Sequence, residues 1–202
     1  MRMPTFLPQH RIAVDASVNV VAAVRPEQLS LPTPCAGWDL ADLLIHMTAQ
    51  HHGFAAAARG NGADLNAWSG APFGAAIAAD PAGTYAAAAR DVLDAFAADD
   101  IDEAPFALPE FGVDVTVPGA TAIGFHFVDY VLHGWDVAAA LGQPFSLPAD
   151  VVAAALPLAM SVPDGEFREA ANSPFARAMP LDDTDGDFAR MLRHLGRSPE
   201  YR

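Results

Sequence analysis

Apolar residues recur along this chain mostly at helical spacing. Ile12, Val14, Val18, Val20, Val21 and Val24 stand between polar neighbours and predict an amphipathic helix from His10 to Val24, stopped by Pro26. Pro32, Pro34 and Gly37 make Leu31 to Gly37 a loop. Asp39 then offers an N-cap carboxylate, with Asp42 three residues on in the capping-box position. Leu40, Leu43, Leu44, Met47 and Phe54 carry the core face of the helix that follows, to about Arg59. Gly60, Gly62, Gly70, Pro72 and Gly74 break up the next stretch. Pro81 suits the first residue of a helix lasting to about Ala97. Asp99 to Gly119 is acidic and holds three prolines, and its alternating Val113, Val115 and Val117 fit a loop with a short hairpin. Thr121 to Leu141 is the clearest helix, closed by Gly142 and Pro144. Leu147-Pro148 opens another to about Met160, Pro163 to Asp183 is irregular, and Asp185 to Leu195 is a last short helix closed by Gly196. The expectation is an all-α protein: a four-helix bundle with extra C-terminal helices and a short β-hairpin. It is read as a single helical domain over residues 1–202, with the tail from about 163 packed on it.

Composition narrows the function classes. At 52% hydrophobic and 18% charged, the chain can bury a core and is unlike a disordered one. The net charge of −14 comes without a basic stripe, so nucleic acid and anionic membranes are not expected partners. All 11 basic residues are arginine. The absence of lysine excludes Schiff-base chemistry, pyridoxal-phosphate attachment and a phosphate-loop lysine. Cys35 is the one cysteine, so neither an internal disulfide framework nor a thiolate-rich zinc site can form. No stretch reads as a signal peptide or a membrane span of about 20 apolar residues, which predicts a cytoplasmic protein. The expected partner is a small-molecule substrate, with the chain a monomer or homodimer.

The candidate chemistry lies on two helices. Asp129 and His133 are four apart in the Thr121–Leu141 helix and share a face; His126, three before Asp129, lies on roughly the same stripe. His46 comes from the Asp39–Arg59 helix, with Asp42 one turn earlier as a group that could orient it. Facing bundle helices that project acids and histidines inward can hold a metal, and two imidazoles with one carboxylate leave positions open for water or substrate. A histidine and an aspartate at this spacing are more often a salt bridge or a core pair, and spacing alone leaves both readings open. Asp136 competes as a partner for either histidine. His10, His51, His52 and His194 read as surface residues, Cys35 as a small buried thiol, and Trp38 and Trp135 as core packing.

Two segments carry a resemblance. Thr33-Pro34-Cys35-Ala36-Gly37-Trp38-Asp39-Leu40, continued by Asp42-Leu43-Leu44-Ile45-His46, resembles the start of the second helix in the DinB/YfiT-like superfamily. Asp129-Tyr130-Val131-Leu132-His133-Gly134-Trp135-Asp136-Val137-Ala138 resembles the second signature of its actinobacterial branch related to mycothiol-dependent maleylpyruvate isomerase. Leu195-Gly196-Arg197-Ser198-Pro199 is similar to the end of that branch. The resemblance implies a divalent-metal site made by His46, Asp129 and His133, with zinc as the first expectation and nickel or iron(II) also accommodated. The family pattern has glutamate where Asp129 stands. Aspartate is one methylene shorter, which leaves His126 open as a replacement third ligand. The isomerase's large α/β C-terminal domain has no counterpart in this sequence, so the likeness supports the metal-site fold better than isomerase activity. It implies a metal-dependent enzyme, a thiol transferase or isomerase, that activates a mycothiol-type thiol for addition or transfer to a small electrophile. The alternatives are a non-catalytic metal- or small-molecule-binding protein, or a hydrolase or lyase using metal-bound hydroxide.

Overall fold

The computed structural model describes residues 5–112, 114–170 and 173–201. Seven α-helices and one two-stranded ribbon lie among them: α1 (Leu7–Val21), α2 (Leu40–Ala58), α3 (Gly74–Ala79), α4 (Pro81–Ala95), β1 (Pro105–Ala107), β2 (Thr116–Pro118), α5 (Gly119–Ala140), α6 (Ala149–Met160) and α7 (Asp187–His194). Helices α1, α5, α2 and α4 pack in that order around a ring, giving the expected four-helix bundle; α6 and α7 lie beyond α5. The mostly helical architecture with one small antiparallel hairpin is the fold class read from the sequence. No described helix is long and apolar enough to cross a membrane.

Local chemistry explains the elements. Asp39 caps α2 by accepting from the Asp42 amide at 2.9 Å, while the Asp42 carboxylate accepts from the Asp39 amide at 3.3 Å. This reciprocal box uses two of the orphan donors at the helix start. Helix α5 is apolar almost all round because it touches α1, α2 and α6 and keeps little contact with water. Its first residue, Gly119, sits so close to the preceding loop that a Cβ there would lie 1.8 Å from the Ile101 carbonyl oxygen. Val14, Leu43, Leu44, Met47, Tyr85, Tyr130 and Val137 fill the bundle interior. Phe127, Val131, Val151, Met191, Leu192 and Leu195 join α5 to α6 and α7.

Several boundaries differ from the sequence reading. Helix α1 begins at Leu7 and ends at Val21, because Pro8 fits a first turn as readily as Pro81 does. Helix α3 was not expected, since six residues are too few to show a 3.6-residue period. The hairpin pairs Phe106 with Val117, whereas Val113 lies outside the described residues.

The main departure concerns histidine. His10 and His51, read as surface residues, are buried in the bundle together with His126. They form a chain: His10 Nε2 lies 2.8 Å from His126 Nδ1, and His126 Nε2 lies 3.2 Å from His51 Nδ1. His51 and His126 both stack on the Tyr130 ring, at 4.0 and 4.2 Å between centroids. Burial lowers the pKa of all three, that of His10 to about 3, so they are neutral. Among the described residues, His51 Nε2 has no hydrogen-bond partner. A neutral imidazole offers one donor and one acceptor nitrogen, so the three neutral rings can share one proton in each of the two contacts. His52 and His194 are partly buried as well: His52 stacks on Phe73, and His194 Nε2 lies 2.9 Å from the Val162 carbonyl.

Candidate metal centre

The loop before α2 is pinned by its own backbone. The Leu40 amide donates to Leu31, the Ala41 amide to Leu29 and the Trp38 amide to Cys35, while the Thr33 hydroxyl donates to the Trp38 carbonyl. Gly37, at φ +84°, supplies the left-handed residue that lets this loop turn. The turn sets Cys35 and Trp38 beside the first turns of α2, where Trp38 lies 4.9 Å from the His46 ring. Trp38 is 38% exposed and is therefore not the core residue expected.

Helices α2 and α5 face one another as two rails. His46, Gln50 and Phe54 succeed each other at four-residue steps on α2; Phe125, Asp129 and His133 do the same on α5. All six line one cavity of about 830 Å³. Near one end the His46 and His133 rings are 5.2 Å apart, edge to face, and Asp129 Oδ1 lies 3.3 Å from His133 Nε2. One ligand atom each from His46, Asp129 and His133 falls within 4.8 Å of the others, a grouping that could hold a metal ion. The shorter aspartate side chain therefore reaches this position.

A second grouping of the same kind, Cys35, His133 and Asp136, uses the other ring nitrogen of His133, Nδ1. Asp136 accepts from His133 Nδ1 at 2.8 Å and from Cys35 Sγ at 3.2 Å. Arg197 closes this side, donating from Nε and Nη2 to the Asp136 carboxylate at 3.0–3.3 Å and lying 3.6 Å from Cys35 Sγ through Nη2. The guanidinium beside Cys35 and Asp136 repels a dication from this grouping. Asp136 fixes the His133 ring from behind, as an outer carboxylate does for a metal-binding imidazole, which leaves Nε2 to the His46–Asp129 side.

The charges follow from these contacts. Burial by itself would lower His133, but Asp129 first, then Asp136 and Cys35, outweigh it and hold His133 well above its ordinary value. Burial would raise Asp136, yet Arg197 and then His133 bring it down to about 2. Burial likewise works against Asp129, and His133 with His46 lowers it. His46 falls to about 4 through burial and the nearby His133 charge. An anionic oxygen and two imidazoles converge here, the donor set that suits a borderline divalent ion.

Comparison with known proteins gives the family. Residues 10–138 match the family model described as the mycothiol maleylpyruvate isomerase N-terminal domain. The chain belongs to this family. It has the family's DinB/YfiT-like character, as the two signature segments suggested. Two uncharacterized proteins of Mycobacterium tuberculosis, one from strain CDC 1551 / Oshkosh and one from strain H37Rv, are each 31% identical over 190 residues, which is 94% of this chain and 96% of theirs. No solved structure matches the chain.

Within this family frame, the structure brings together all three residues carried over from the resemblance. It does not bring His126 to them: both His126 nitrogens face His10 and His51, so it cannot stand in for Asp129. Asp42 is spent on the α2 cap and is exposed, so it does not orient His46. Arg197 was missed, because its partner Asp136 lies 61 residues away and only the fold joins them. Cys35 is half-buried on the cavity wall and is bonded to Asp136.

Asp136→Asn gives a direct check on this support. It keeps the shape but takes away the charge that holds His133 Nδ1–H and balances Arg197. Metal affinity should fall about 10–100-fold, as for other outer-partner losses. Stability should fall by about 3–5 kcal/mol, because the buried guanidinium loses its counter-ion. Calorimetric metal titration and urea melts of the same variant measure the two effects.

Proposed function

We propose that this protein is a metal-dependent enzyme that activates a low-molecular-weight thiol of the mycothiol type for addition or transfer to a small electrophile. The observation that carries the reading is the convergence of His46, Asp129 and His133 on one wall of a cavity large enough for a substrate and a thiol together. These three residues would hold the ion, with zinc the first choice and nickel or iron(II) next. When bound, such an ion supplies the positive charge that lowers a thiol's pKa and steadies the thiolate.

The chain's own residues do the rest. Asp136 holds the His133 ring so that Nε2 faces the cavity, and Arg197 keeps Asp136 ionised and fixed. Trp38, Phe54 and Phe175 give the wall an apolar surface against which an electrophile can lie free of bulk water. The family description and the donor set both favour this use of the site.

The test is spectroscopic. Cobalt(II)-loaded protein titrated with mycothiol should develop a new thiolate absorption band. An unchanged spectrum, with cobalt shown to be bound, would overturn the thiol reading and favour a hydrolytic or purely binding role for the metal.

A further inference from the structure

The far end of the chamber carries a different set of groups. One turn beyond His46 on α2, buried Gln50 donates from Nε2 to the Glu110 carboxylate at 2.7 Å. Glu110 is exposed as a residue, but its carboxyl end is drawn against the chamber wall. That partial burial raises its pKa, and the Gln50 bond only tempers the rise. Its side-chain partner in this bond is a neutral amide. Beside it the Phe111 and Phe125 rings lie 5.2 Å apart, and they are 58% and 42% exposed. Large aromatic faces left open next to a carboxylate are the elements of an organic-cation site, where ring quadrupole and charge act together.

The arginines of the chamber point the same way. Among the described residues, its lining contains two arginines, and the fold uses both. Arg197 is bound to Asp136 and to the Leu195 carbonyl. Arg168 donates to the carbonyls of Pro163, Ala176, His194 and Val162, tying the C-terminal segment together. Neither presents an open fork for a substrate carboxylate, which would normally be gripped by two parallel N–H donors. The net charge of −14 further disfavours an anionic ligand.

We propose that the chamber takes a substrate with an aromatic or apolar body and a positively charged amino group, the amino group seated on Glu110 and the body against Phe111 and Phe125. This rests on reading the chamber as the substrate site, and it narrows that site's substrate class to amines rather than carboxylates. Four residues separate Gln50 from His46, about 6 Å along the helix. A ligand held by Glu110 therefore has its other end within reach of His46.

The probes are phenethylamine, phenethyl alcohol and phenylacetate, which share a ring and differ in charge. Binding is followed by tryptophan fluorescence and saturation-transfer NMR, and the metal content of each sample is measured. In the wild-type protein phenethylamine should bind about tenfold more tightly than phenethyl alcohol. Glu110→Gln should abolish that advantage and leave the alcohol unchanged; being at the rim, this variant should fold normally. Equal binding of the amine and the alcohol, failure of both to bind, or an amine preference that survives Glu110→Gln each overturns the proposal. These comparisons do not require a metal. A protein that binds no metal but shows the Glu110-dependent amine preference would sink the thiol-activation reading alone, and the reverse result would sink this one alone.

Discussion

Asp129→Asn should cost the protein its metal while leaving the helices in place. Asparagine keeps the side chain's size on α5 but replaces the anionic oxygen that lies 3.3 Å from His133 Nε2. A dication held by two neutral imidazoles and an amide loses its only charged ligand. The expected loss exceeds the ~10–100-fold that removal of an outer partner brings. His133→Ala should abolish binding, but it cannot tell which grouping holds the ion, because His133 belongs to both. Cys35→Ser makes that distinction. If His46, Asp129 and His133 are the ligands, Cys35→Ser leaves affinity within a few-fold of wild type. If the ion sits with Cys35 and Asp136 instead, Cys35→Ser removes it and Asp129→Asn does little. Metal titration of the three variants, with circular dichroism to confirm their helicity, decides between these patterns. The Arg197 guanidinium 3.6 Å from Cys35 Sγ is the physical reason to expect the first.

What the sequence revealed here depended on the range of the interaction. Helix α2 was legible from Asp39 to about Arg59, because its cap, its box partner and its leucines all lie within a few residues of one another. The Asp129–His133 pair was legible for the same reason, as was the hairpin's approximate place. His46 needed the resemblance, since nothing in local spacing says that α2 faces α5. Arg197 and Glu110 were not legible. Each acquires its meaning from a partner tens of residues away, Asp136 and Gln50 respectively. The histidines were misread for a related reason. His10 sits among polar neighbours and His51 beside His52, which looks like a solvated face. Burial of these imidazoles is acceptable only because each finds another imidazole across the bundle. A polar residue whose partner is another distant polar residue leaves no apolar period to read.

That buried chain makes the fold sensitive to mild acid. His10, His51 and His126 have folded pKa values below the ordinary 6.5 because burial penalises their charged forms. The unfolded chain takes up their protons as pH falls through about 6.5, whereas the folded chain does not, so stability is full above that pH and is lost below it. For His10 the loss continues until its folded pKa of about 3. One such group contributes about 1.4 kcal/mol per pH unit, and three together about 4 kcal/mol, against a typical total stability of about 5–15 kcal/mol. His46, lowered to about 4, adds to the same slope. His133 acts in the opposite sense and in another window: with its pKa raised in the folded state, its contribution is full below about 6.5 and is lost as pH rises from there through the folded pKa. The paired carboxylates leave the interval undisturbed, Asp136 titrating only near 2. Urea unfolding of metal-free protein at pH 7.5, 6.5, 5.5 and 4.5 should therefore show stability falling steeply across the last two steps. His126→Ala should lose about 3–5 kcal/mol at pH 7.5, through a core cavity and two imidazoles left without partners, and its acid slope should be shallower. Its metal stoichiometry should not change, because His126 lies outside the His46–Asp129–His133 grouping. A stability that stays flat from pH 7.5 to 5.5 and on to 4.5 would mean that these histidines accept protons in the folded state, and that the chain is not the neutral relay of bonds described above.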